Sequence, residues 1–140
     1  YLGISAIAGD KLSTPKRTFD PQKVSVFESK PEEISILTSD HKKIAGWYIN
    51  SQKSDKVIIL VHGLHSSRTL EFAGKFSEFG AEMNRQGFSI LMIDLRGHGQ
   101  SSDPRLTFGI TERKDIIAAV NWLKQKGFNP QKIGVLGVSM

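Results

Sequence analysis

The chain has 140 residues, 39% of them hydrophobic and 24% charged, with no cysteine and a formal net charge of +5. This composition fits one globular domain of ordinary size, and the absence of cysteine excludes disulfides and thiolate metal sites. Lys and Arg are interleaved with acids and form no basic stripe with aromatic platforms, so no nucleic-acid partner is expected.

The first residue is tyrosine, and residues 1–9 form an apolar stretch that ends at Asp10-Lys11. That stretch is too short to span a bilayer, which takes roughly 20 apolar residues. Ala6-Ile7-Ala8 fits a small-residue cleavage pattern, so the expectation is the end of a signal peptide or membrane anchor. The alternative is an ordinary apolar arm packed on the domain. A polar connector with Pro15 and Pro21 follows and shows neither helical nor strand period. Residues 1–31 are therefore expected to be an arm or linker, and residues 32–140 the domain.

From Glu33 the pattern becomes periodic. Ile34, Ile36 and Thr38 alternate with polar neighbours, Ser39-Asp40-His41-Lys42 makes a turn, and a β-branched and aromatic run follows from Ile44. The pair predicts an antiparallel hairpin. Val57-Ile58-Ile59-Leu60-Val61 is apolar throughout, which predicts a strand buried on both faces of a helix-covered parallel sheet. Phe88-Ser89-Ile90-Leu91-Met92-Ile93 and Ile133-Gly134-Val135-Leu136 predict two more.

Helical patterns separate these strands. Phe72, Phe76, Phe79 and Met83 make one apolar stripe, interrupted by Gly74 and Gly80 and ended by Gly87. Ile116, Ile117, Val120 and Leu123 make a second, with Thr111 as its expected N-cap, Lys124 and Lys126 near its negative end and Gly127 as its stop. Alternating strands and helices predict an α/β fold with right-handed crossovers.

The last strand leads into Gly137-Val138-Ser139-Met140, four of the five positions of a G-x-S-x-G nucleophile elbow. Such an elbow lifts a serine hydroxyl above the sheet on a sharp strand-to-helix turn. His62-Gly63 ends the first buried strand, and Asp94-Leu95-Arg96-Gly97-His98-Gly99-Gln100-Ser101 follows the second. In this order the motifs resemble the α/β-hydrolase fold family over roughly residues 33–140, nearest its serine hydrolases with an H-G turn and a D-x-R-G-H-G-x-S loop. The resemblance implies the amino-terminal half of that fold, an antiparallel hairpin leading into a parallel sheet flanked by helices. Pro15-Lys16-Arg17 also resembles bacterial members with an amino-terminal anchor, which implies a membrane-anchored or exported protein, against a cytoplasmic one.

By resemblance Ser139 is the nucleophile, and the backbone N–H groups of Leu64 and Met140 form the oxyanion hole. The family's acid and histidine follow the serine in chain order, and only Met140 follows it here, so this chain alone is expected to be inactive. Chain order likewise disqualifies His41, His62, His65 and His98 as the base. His62 and His98 are expected to hydrogen-bond the turns they occupy, and Asp94 and Arg96 to form an ion pair or loop hydrogen bonds. By resemblance Gly63, Gly97 and Gly99 belong to the structural motifs near the site, and Gly137 to the elbow, which brings its backbone close to the neighbouring strand. His62-x-x-His65 lacks acidic or cysteine partners, so no metal is expected, and without G-x-G-x-x-G no dinucleotide or other cofactor is expected. The expected partner is a small acyl substrate, and the oligomeric state is left open. The competing reading is a noncatalytic scaffold of the same fold.

Overall fold

The computed structural model describes residues 17–102 and 105–138. Five strands form one mixed sheet: β1 Glu32–Leu37, β2 Lys43–Ile49, β3 Val57–Val61, β4 Ser89–Ile93 and β5 Ile133–Gly137. Their order is β1-β2-β4-β3-β5. β1 pairs antiparallel with β2, and β2 antiparallel with β4, while β3 lies parallel to both β4 and β5. The hairpin thus leads into a parallel sheet, as the patterns require.

Alternation along the central strands builds two cores. Val57, Ile59 and Val61 of β3 join Leu91 and Ile93 of β4 on one face, under helix α2, Arg113–Gln125. Leu60, Ile90 and Met92 point the other way, against helix α1, Phe76–Arg85, and the short 3₁₀ turn Pro21–Val26. Both faces of β3 and β4 are covered, which is why their sequences are apolar but for Ser89 at the start of β4. A Cβ at Gly80 of α1 would meet the Met92 sulfur at 3.1 Å and Leu60 Cδ1 at 3.3 Å, so this glycine lets the helix lie close on the sheet.

Four local expectations are corrected. The first stripe does not begin at Phe72, because Phe72 (φ 55°) and Ala73 (φ 56°) are left-handed and α1 starts only at Phe76. The second helix buries Asp115, Ala118, Ala119 and Leu123 and leaves Ile117 exposed, its small residues allowing close approach to the sheet. It begins one residue later than expected: Glu112 is the cap, while the Thr111 hydroxyl is engaged with that of Thr107 at 2.7 Å. Finally β5, at the sheet's edge, is not buried on both faces: Val135 is half exposed.

The arm ahead of β1 packs where it is described. Phe27 is buried, Lys23 pairs with Glu78 at 2.8 Å, and the Phe19 ring lies edge-on to Trp47 with centroids 5.6 Å apart. Residues 1–16, including the apolar stretch, lie outside the described residues. Among the described residues no helix is long and apolar enough to cross a membrane.

Candidate active site

Val61 and Gly137 are register partners in the parallel pair β3–β5, and Val138 N–H donates to Val61 O at 2.9 Å. The His62-Gly63-Leu64 segment and Val138 therefore leave the sheet side by side, at the carboxyl ends where open α/β sheets bind ligands. A cleft of ≈ 280 Å³ opens there, lined among others by His62, Leu95, Glu112, Ile116 and Val138. Ser139 and Met140 lie outside the described residues.

His62 joins the ends of two strands. Its Nε2 accepts the Leu95 N–H at 3.0 Å, so the ring proton sits on Nδ1, which donates to Gly63 O at 2.7 Å. Burial holds the imidazole down, to a pKa of about 4, and it is neutral at pH 7. With both ring nitrogens engaged it has no capacity as a general base. The consequence lies in the next bond. Gly63 C=O and Leu64 N–H belong to one planar peptide, and there are no cis peptides among the described residues, so the two point in opposite directions. By fixing the carbonyl, His62 fixes the direction of the Leu64 N–H, which has no hydrogen-bond partner among the described residues.

The loop after β4 accounts for nearly all of its backbone donors. Leu95 N–H goes to His62, Arg96 N–H to Asp115 at 2.8 Å, Gly97 N–H to Ser102 O at 2.8 Å, and Gln100 N–H to Asp94 Oδ2 at 2.9 Å. His98 Nδ1 donates to Arg96 O at 3.0 Å, and its ring centroid lies 4.8 Å from that of His62. Burial, with His62 close by, lowers His98 to about 4 as well. Gly99 is left-handed (φ 48°), and a Cβ there would fall 2.1 Å from Asp94 Oδ2. Only glycine leaves room for that carboxylate.

Asp94 and Arg96 do not pair with each other. Asp94 forms a buried ion pair with Arg68 and also accepts the Arg68 N–H at 2.8 Å. Arg96 takes Asp115 through Nε (2.9 Å) and Nη2 (2.8 Å), and grips Asp40 of the hairpin turn at 2.7 and 3.0 Å. That grip, with the Thr38 hydroxyl, holds the Asp40 carboxyl well below the usual range. Burial raises Asp94, against the opposing pull of Arg68. The two charges, two residues apart, serve separate networks.

Among the described residues nothing lies within 4 Å of where a Cβ on Gly137 would be. The elbow residues that follow it, Ser139 and Met140, lie outside the described residues.

Sequence reasoning missed Arg68 and Glu71. The Arg68 guanidinium lies 4.3 Å from the Phe19 ring centre and 4.7 Å from that of Trp47, and its Nη2 donates to Gln100 at 2.6 Å. Glu71 Oε1 accepts the Gly63 N–H at 2.6 Å. It opens the one-turn segment Glu71–Gly74, whose Phe72 and Ala73 carry a left-handed cost of about 1–2 kcal/mol each. Packing of the Phe72 ring against Phe76 and Phe79, at 5.2 and 5.4 Å, offsets part of it. Neither residue sits in a motif, and their roles arise only from tertiary contacts.

A family model described as serine aminopeptidase, S33, matches residues 52–140. The chain belongs to the serine aminopeptidase S33 family. Consistent with that S33 membership, the Pyrococcus furiosus esterase Pf2001 is 36% identical and superposes with a TM-score of 0.73, covering 91% of this chain and 47% of that one. An uncharacterized Bacillus subtilis protein, YqkD, is 28% identical over 117 residues, 81% of this chain and 36% of that protein. The thiohydrolase aneE of Aspergillus aculeatus is 27% identical over 115 residues, 80% of this chain and 35% of that one. This S33 chain thus spans about a third of the length of these curated relatives and about half of the esterase. The mixed sheet and its flanking helices are part of an α/β-hydrolase fold, and the chain is hydrolase-like in family and architecture.

Proposed function

We propose that the protein carrying this chain is a serine hydrolase that cleaves esters by two-step acyl transfer through Ser139. The observation that carries the reading is the Gly137-Val138-Ser139-Met140 motif at the end of β5, whose Gly137 stands in parallel register with Val61, beside the oriented Gly63-Leu64 peptide. The esterase likeness supports an ester substrate, and the thiohydrolase likeness keeps thioesters within the same chemistry.

In this reading Ser139 Oγ attacks the acyl carbon while a histidine later in the protein takes the hydroxyl proton. The carbonyl oxygen becomes an oxyanion held by the Leu64 and Met140 N–H groups, each worth roughly 2.7–4 kcal/mol in acyl transfer. Collapse expels the alcohol, which receives that proton. Water, deprotonated by the same base, then attacks the acyl-enzyme and releases the acid. The acid and base are assigned to sequence after Ser139, since the matched residues span only 36% and 35% of the two curated relatives. On its own this chain is proposed to be inactive. The apolar stretch of residues 1–9 supports an exported or membrane-anchored protein.

The test is Ser139→Ala in the full-length protein with p-nitrophenyl acetate. The expected loss in kcat is on the order of 10⁶-fold, as for a serine-protease nucleophile. Activity within tenfold of wild type would defeat the assignment.

A further inference from the structure

We propose that Glu71 is a positioning residue for the oxyanion loop, its carboxylate pinning the Gly63 peptide so that the Leu64 N–H faces the acyl oxygen. The inference rests on the assignment of Leu64 as an oxyanion donor. Gly63 lacks a Cβ and would otherwise rotate widely about both backbone dihedrals. Here both of its peptide groups are held: Glu71 Oε1 takes its N–H at 2.6 Å, and His62 Nδ1–H takes its carbonyl at 2.7 Å. With one plane fixed on each side of its Cα, the direction of the next N–H is set.

The reach of Glu71 is itself built. Phe72, Ala73 and Gly74, at φ 55°, 56° and 81°, reverse the chain directly after it. The Phe72 ring anchors that reversal on α1 through Phe76 and Phe79. Strained backbone of this kind persists where the surroundings over-determine it and clusters at functional sites. A carboxylate acceptor makes a shorter and stronger bond to an N–H than a neutral group does. It holds the Gly63 N–H while leaving that of Leu64 for a ligand, and a misplacement of about 1 Å in such a donor can cost 10²-fold in rate.

Three variants of the full-length protein test this with p-nitrophenyl acetate. Glu71→Ala should lower kcat by roughly 10- to 100-fold with KM changed by less than about threefold. Glu71→Asp keeps the charge but falls a methylene short, and should lose about as much. Glu71→Gln keeps an oxygen of the same reach and should return kcat to within about fivefold of wild type. A merely structural role would instead lower the urea midpoint of Glu71→Ala and Glu71→Asp along with kcat, whereas positioning lowers kcat in a protein of near wild-type stability. Should the alanine variant not fold, the Asp and Gln pair carries the same comparison. Wild-type kcat in Glu71→Asp or Glu71→Ala, or equal losses in Gln and Asp, would overturn the role. A fluorophosphonate control separates the two failures: labelling of wild type at Ser139 with unchanged kcat in Glu71→Ala defeats the positioning role alone, whereas no labelling defeats the serine-hydrolase reading beneath it.

Discussion

Asp94 and Arg68 form an ion pair with side chains 0% and 1% exposed, tying the loop after β4 to the loop after β3. Through its carboxylate Asp94 also holds the Arg68 and Gln100 N–H groups, so one side chain sets the spacing of both loops that border the site.

Breaking this pair from one side strands a buried charge. Asp94→Asn and Arg68→Met should each cost about 3–5 kcal/mol in urea unfolding. The double variant should lose clearly less than the sum, because the second substitution removes the charge the first left unpaired. Strict additivity would mean that the two side chains do not act on each other.

The pH dependence of stability between pH 7.5 and 5 belongs largely to two histidines. His62 and His98 sit at about 4 in the fold, against an ordinary value of 6.5. Between these values the unfolded chain binds more protons, so their contribution is full above pH 6.5 and is lost as pH falls toward 4. Each should cost roughly 2 kcal/mol on going from pH 7.5 to 5. Asp40, held low by Arg96, loses its contribution only below its ordinary value of 3.8 and stays out of this window. Asp94 and Asp115, raised by burial, run the other way. Comparing the urea midpoints of wild type and His98→Asn at both pH values isolates one histidine, and the variant's drop should be smaller by about that 2 kcal/mol.

Gly99 is fixed by its neighbour as well as by its backbone. Gly99→Ala places a methyl on the Asp94 carboxylate and demands a left-handed alanine. Thermal unfolding should show a loss of about 3 kcal/mol. A loss under about 1 kcal/mol would mean that the Asp94 carboxylate does not lie against this turn.

What the sequence disclosed follows from where its signals arise. The runs at Val57 and Ile90 read as doubly buried strands because both of their faces meet apolar neighbours, and periodicity records that. The run at Ile133 has the same composition, and β5 stands at the edge of the described sheet with Val135 half exposed, in a chain that spans only about a third of its curated relatives. The Phe72–Met83 stripe had a helical period, but Phe72 precedes the helix across a left-handed turn, and Gly74 was the one local sign of it. Asp94 and Arg96 looked like partners because they are near in sequence. Each instead meets a residue at least 19 positions away, at Arg68, Asp115 and Asp40. Arg68 and Glu71 left no signal, since only folding brings them to Asp94 and Gly63.

The role of Ser139 is settled by mapping a fluorophosphonate adduct on the full-length protein by peptide mass spectrometry. A single adduct on the peptide containing Ser139, absent from Ser139→Ala, is the predicted result. An adduct on another residue, or equal labelling of the alanine variant, would contradict a nucleophile at the end of β5.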